Sequence, residues 1–97
     1  MKFASLGSGS SGNATLIQNG DTLIMLDCGF AIKEVERRIA KLGCTVDQID
    51  AILVTHEHTD HAKGVAPLAR KYKIPVYMTE GTWACKDYGK LPELNVI

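Results

Sequence analysis

The sequence is poor in the features that place a chain in a special class. Lys plus Arg number 11 and Asp plus Glu number 11, so there is no net charge and no global basic field to gather nucleic acid. No apolar run approaches the length of a membrane span, and an expectation of no membrane partner follows. The opening Met1-Lys2-Phe3-Ala4-Ser5-Leu6 breaks at Gly7, too soon for the apolar core of a secretion signal. Cysteines number only three, Cys28, Cys44 and Cys85, with no CxxC spacing. An odd, scattered set does not make a disulfide framework, and it predicts a reducing, cytoplasmic setting. Aromatics are 6% of residues, and internal repeats and linkers are absent.

What is present is an ordinary globular composition: 97 residues, 45% hydrophobic. That is enough for one small domain, though near the marginal end of core size. Met1 to Leu6 reads as a strand, followed by the loop Gly7-Ser8-Gly9-Ser10-Ser11-Gly12-Asn13 and a second strand, Ala14 to Gln18. Asn19-Gly20-Asp21 is a hairpin signal, because Asn and Gly tolerate positive φ. Thr22 to Leu26 returns as a nearly continuous apolar strand, expected to be buried on both faces, and ends at Asp27.

Ile32, Val35, Ile39 and Leu42 fall on one face of a helix expected over 32–42, with Gly43 as its stop. Lys33, Arg37 and Lys41 form a cationic stripe on that helix, read as a solvated face, and Glu34 can pair with Arg38. Ile49 to Thr55 is an apolar strand, a helix begins near Ala66-Pro67, and Ile74 to Met78 is a further strand. Thr82 to Tyr88 reads as a short helix and Leu94 to Ile97 as the start of a strand. The alternation makes the class α/β.

All three histidines sit within residues 56–61, as His56, His58 and His61, with Asp60 among them. Alternate residues of an extended segment face one way, so His56 and His58 can converge on one point. Asp60 continues the alternation, and His61 turns inward as the chain bends toward a helix. Their position after an apolar strand is where open α/β sheets place sites. Neutral imidazoles and a carboxylate suit zinc, iron or manganese. Two ligand pairs this close suggest two metals, which in such sites stand roughly 3.5–4 Å apart, bridge one water and lower its pKa to about 7.

The series His56-x-His58-x-Asp60-His61 after Thr55, together with Asp27 closing an earlier strand, resembles the signature of the metallo-β-lactamase fold superfamily. The resemblance implies the N-terminal half of a four-layer αβ/βα sandwich, with residues 1–97 forming one part of a single domain. It implies that His56 and His58 bind one metal and Asp60 and His61 the other, zinc first among the candidates, with manganese or iron as alternatives. Asp60 would also orient the attacking hydroxide, and Asp27 would hold the motif loop by hydrogen bonds. The loop Ser8-Gly9-Ser10-Ser11-Gly12-Asn13 is similar to the start of the exonuclease-like subgroup typified by YycJ and WalJ. Ser10, Ser11, Gly12 and Asn13 are then candidates to meet a substrate phosphate through backbone N–H groups.

The implied activity is metal-dependent hydrolysis, with nucleic-acid phosphodiesters as the leading substrate. Small esters, thioesters or lactams are the alternative on the same metals, and a non-catalytic metal-binding or assembly fragment is another. A flavodiiron redox site would carry Glu at the position of His58. Gly7-x-Gly9-x-x-Gly12 also fits a dinucleotide fingerprint on paper, but a strand and hairpin follow it where that motif needs a helix. Cys28 reads as a buried small hydrophobe, and Trp83, Cys85 and Tyr88 as packing residues or a cleft lining.

The superfamily carries three further metal ligands downstream. No histidine follows His61 in this sequence, and Asp87 has no adjoining motif. The expectation is an incomplete site and an apolar sheet face, including parts of Leu23–Leu26 and Ile52–Val54. That face would receive the remainder of the domain or a second copy of the chain.

Overall fold

The computed structural model describes residues 1–7, 12–56, 58, 62–85 and 88–97. Its frame is one six-stranded sheet in sequence order. Strands β1 (Lys2–Gly7), β2 (Ala14–Asn19) and β3 (Thr22–Leu26) form an antiparallel meander. The turn closes at the pair Asn19↔Thr22, with Gly20 at φ 61°. From β3 onward the pairing is parallel, through β4 (Ala51–Val54), β5 (Val76–Met78) and β6 (Leu94–Val96).

Parallel neighbours need crossovers. Helix α1 (Ile32–Ala40) and a 3₁₀ turn at Val46–Gln48 connect β3 to β4. Helix α2 (Val65–Tyr72) connects β4 to β5, and α3 (Glu80–Ala84) lies between β5 and β6. Asp50 latches the start of β4 to β3: its N–H donates to the Leu23 carbonyl at 2.7 Å and its Oδ2 accepts from the Leu23 N–H at 2.8 Å.

Strand alternation decides the core. Leu16, Met25, Ile52, Val54, Val76 and Met78 point to one face and join Val35, Ile39, Val65 and Leu68 of the helices in a single buried cluster. Tyr72 of α2 donates its hydroxyl to Glu36 of α1, which Lys71 also meets at 2.9 Å. The opposite face carries Phe3, Ile17, Ile24 and Ala51 in one register row, and Thr15, Leu26, Leu53 and Tyr77 in the next. Phe3 is 68% exposed and the others on this face are half-buried.

Three expectations change in this frame. Strand β3 is buried on one face only: Leu23 and Met25 are in the core, while Ile24 and Leu26 are half-buried because, among the described residues, no layer covers their side. Helix α1 stops at Ala40, so Leu42 leaves the helical stripe and is 44% exposed. The expected helix over 82–88 is α3 at Glu80–Ala84, because Thr79 supplies the N-cap, accepting from the Thr82 N–H at 3.2 Å. Among the described residues, no helix is long and apolar enough to cross a membrane.

Candidate metal centre

Parallel pairing brings the C-terminal ends of β3 and β4 side by side. Leu26 pairs with Leu53, and the next N–H, that of Asp27, donates to the Leu53 carbonyl at 2.8 Å. Asp27 then turns sharply, with φ 61°, a left-handed conformation uncommon outside Gly, Asn and Asp. The turn points its carboxylate, 5% exposed, at the residue leaving β4. Asp27 Oδ1 accepts from the Thr55 N–H at 2.7 Å, and Oδ2 accepts from the Thr55 hydroxyl at 2.5 Å.

Thr55 passes this order on to the first histidine. Its Oγ1 lies 2.9 Å from His56 Nδ1. A hydroxyl has one proton, and the carboxylate takes it, so the contact to His56 has the Nδ1–H as donor. An imidazole that donates from Nδ1 keeps its acceptor pair on Nε2, one of the two nitrogens through which histidine binds a metal. The rings of His56 and His58 stand 6.2 Å apart between centroids at 87°. Two imidazoles on one ion need centroids about 5–6 Å apart, so this pair fits a divalent ion in donor type and is near it in spacing. Asp60 and His61 lie outside the described residues. Among the described residues, no group of three or more His, Cys, Asp or Glu is placed to hold a metal.

The segment after Asp27 braces the site from below. Cys28 is fully buried and its thiol is pushed up to about 11, first by burial and further by the neighbouring Asp27 charge. A thiol held protonated there is a packing group, not a nucleophile. The Cys28 carbonyl accepts from the Gly64 N–H at 2.8 Å. A Cβ on Gly64 would stand 1.8 Å from the Phe30 carbonyl oxygen, so only glycine permits α2 to start this close to residues 28–30.

Of the loop candidates, Ser10 and Ser11 lie outside the described residues. Gly12 is buried, with φ 152°, and Asn13 is half-buried, its carbonyl accepting from the Gly29 N–H at 3.0 Å. Trp83 and Tyr88 stack on each other with centroids 5.7 Å apart, and Tyr88 is buried, so these rings pack rather than line a cleft. A cavity of about 470 Å³ lined by Arg70, Lys73, Pro75, Lys90 and Pro92 lies at the N-terminal ends of β5 and β6, opposite the strand ends that carry the histidines.

Comparison with known proteins decides the family. The family model described as the Metallo-beta-lactamase superfamily matches residues 7–84, most of the chain, including the ends of β3 and β4 that carry Asp27, Thr55 and the histidines. The chain belongs to the metallo-beta-lactamase superfamily. Members of this superfamily use divalent metal ions, typically zinc. The chain is 38% identical over 89 residues to exodeoxyribonuclease WalJ of Streptococcus pneumoniae strain R6, covering 92% of this chain and 33% of that protein. It is 37% identical over 94 residues to exodeoxyribonuclease YycJ of Bacillus anthracis, covering 95% and 36%. A B3 metallo-beta-lactamase with an active-site glutamic acid superposes with a TM-score of 0.75 at 26% identity, over 98% of this chain and 42% of that one. The chain thus spans about a third of the length of these exonuclease relatives, and the fold is that of a metallo-beta-lactamase N-terminal half.

Sequence reasoning passed over Thr55, Phe30 and Gly64 as site-building residues. Thr55 had a signal, its place between an apolar strand and the first histidine. Gly64 had a weaker one, a glycine just after the motif. Phe30 had none, since an isolated aromatic in a loop has no periodic context.

Proposed function

We propose that the protein to which this segment belongs is a metal-dependent hydrolase that cleaves nucleic-acid phosphodiester bonds. The observation that carries the proposal is the 37–38% identity, over more than nine-tenths of this chain, to two exodeoxyribonucleases. The site geometry supports it. In this reading His56 and His58 hold one divalent ion, the His56 ring oriented by Thr55 and through it Asp27, and Asp60 and His61 contribute to the second. Zinc leads among the candidate ions, with manganese or iron as alternatives. Such ions, when bound, polarise the phosphoryl oxygen and acidify the attacking water. Asp60 orients that water, and Asp27 acts on the site through Thr55. The 97 residues carry no net charge, so this segment by itself contributes no long-range field to steer a polyanionic substrate.

The test uses the full-length protein with zinc or manganese, assayed on single- and double-stranded oligodeoxynucleotides, an oligoribonucleotide, a thioester and a lactam. Metal-dependent cleavage of the oligonucleotides is expected. His58→Ala should lower bound metal and rate together. Turnover confined to the thioester or lactam would move the reading to small-molecule hydrolysis, and His58→Ala with full metal content and rate would remove the ligand assignment.

A further inference from the structure

The cavity of about 470 Å³ lies where the chain enters β5 and β6, at the opposite end of the strands from the histidines. Its walls are fixed by local chemistry. Helix α2 ends at Tyr72, Lys73 takes a left-handed turn with φ 55°, and Pro75 leads into β5. The facing wall is residues 88–93. Arg70 Nη1 pins the start of that wall, donating to the Tyr88 carbonyl at 3.3 Å and the Lys90 carbonyl at 3.2 Å. Gly89 between them has φ 71°, and a Cβ there would stand 3.3 Å from the same nitrogen. The Val76 N–H pins the other end, donating to the Glu93 carbonyl at 2.9 Å.

The lining divides by polarity. Pro75, Leu91 and Pro92 bring no polar side-chain atom. Arg70, Lys73 and Lys90 bring three positive charges against the one carboxylate of Glu93, which also accepts from Asn95 Nδ2 at 3.0 Å. Among the described residues, no ion pair engages Lys73 or Lys90. Arg70 spends Nη1 on carbonyls and keeps its Nε and Nη2 donors. Arg70 and Lys73 close α2, where cations offset the helix dipole, but Lys90 comes from another segment and the dipole does not account for it. An apolar hollow with a few placed charges is the usual form of a small-molecule site, at roughly 300–1,000 Å³. The surplus of positive charge suits a phosphate monoester, at about −1.5 to −2 near neutral pH, better than a singly charged carboxylate. We propose that this cavity is a second ligand site, which binds a small phosphate monoester with a flat apolar body, a nucleoside monophosphate being the type. The phosphate meets Arg70, Lys73 and Lys90, and the ring system lies on Pro75, Leu91 and Pro92. The site shares no residue with the candidate metal ligands, so it stands apart from the hydrolytic reading.

The experiment titrates adenosine monophosphate into the zinc-loaded full-length protein, followed by calorimetry and by backbone amide chemical shifts. Saturable shifts are expected at Lys73, Gly89 and Lys90. Lys73→Glu and Lys90→Glu should each weaken this binding by about tenfold or more. Both side chains are exposed, so the variants should fold, and a thermal melt checks it. His58→Ala, which removes a candidate metal ligand, should leave the affinity within about twofold, since distant sites act independently. Adenosine lacks the charge, inorganic phosphate lacks the body and glucose 6-phosphate has a polar one, so each should bind about tenfold or more weakly than the nucleotide. The proposal is overturned if no saturable shift appears at Lys73, Gly89 and Lys90. It is also overturned if binding is lost in His58→Ala and kept in Lys73→Glu, or if glucose 6-phosphate binds as tightly as the nucleotide. A protein that binds the nucleotide here but cleaves no phosphodiester would support the site and remove only the hydrolytic reading.

Discussion

Thr55 is held by both oxygens of Asp27, its N–H by Oδ1 at 2.7 Å and its hydroxyl by Oδ2 at 2.5 Å, across 28 residues of sequence. The consequence is chemical as well as geometric. Because the carboxylate only accepts, Thr55 must accept from His56 Nδ1, and the ring presents Nε2. Asp27→Asn breaks this logic, not only the charge. The amide NH2 would donate to the Thr55 hydroxyl, whose proton then turns to Nδ1 and forces the other tautomer. Asn tolerates the left-handed backbone at this position, so the fold is not the cause. Metal affinity and rate in the full-length protein should fall about 10–100-fold. Thr55→Val should weaken metal binding less, since it removes the relay without reversing it. Zinc titration by calorimetry, with nitrogen chemical shifts of His56 reporting the tautomer, checks both. An Asp27→Asn protein with the parent's affinity and tautomer would refute the relay.

Gly64→Ala tests the brace beneath the loop. A methyl placed 1.8 Å from the Phe30 carbonyl oxygen cannot be relieved by a side-chain rotation, because the obstacle is backbone. The expected cost is about 3 kcal/mol or more, at the upper end of overpacking effects. A thermal melt should show it as a markedly lower midpoint. Because the Gly64 N–H also donates to Cys28, weaker metal binding should accompany the loss. A melt within a degree or two of the parent's would mean that α2 can start elsewhere.

Glu34 carries a pH dependence whose sign is fixed by its partners. Hydrogen bonds from Arg37 and then Arg38 push its carboxyl down to about 2 from an ordinary 4.5. A carboxyl depressed in the folded state stabilises it above about pH 4.5 and loses that contribution as pH falls toward about 2. The carboxylate is half-buried and still screened by solvent, so the effect is modest. In urea melts, the parent should lose midpoint over that window and Glu34→Gln should lose less. Equal slopes for the two proteins would show that the pair contributes nothing measurable.

The uncovered sheet face predicts association of the isolated 97-residue segment. Phe3, Ile17, Ile24, Leu26 and Leu53 share that face, and at roughly 25 cal/mol per Å² such a surface favours any apolar cover. We propose that the remainder of the domain covers it in the longer protein. In the segment alone, sedimentation should show self-association that Leu26→Glu or Leu53→Glu reduces. A soluble monomer at high concentration that also binds two metals tightly would show that the face and the site need nothing more.

The secondary structure was largely legible because periodicity and punctuation are local. Alternation wrote the strands, the i, i+3, i+4 spacing wrote α1, and Asn19-Gly20-Asp21 wrote the hairpin. The errors were also local in origin. An apolar run cannot say how many of its faces are covered, so β3 was expected to be buried twice. A hydrophobic residue one turn past Ile39 extends a stripe on paper, although α1 ends at Ala40.

By itself the sequence determined the family and the candidate ligands, because His56, His58, Asp60 and His61 lie within a few residues and their donor chemistry is intrinsic to each side chain. The family resemblance named Asp27 as the residue that holds the motif loop, but not the atoms it holds, and it named no other supporting residue. That Asp27 reaches Thr55, that Phe30 seats both Gly7 and Gly12, and that Arg38 reaches the Leu6 carbonyl depend on parallel register and on α1 lying against β1. Those relationships have no period and no motif. They exist only once the sheet has closed and brought separated segments to within hydrogen-bond reach.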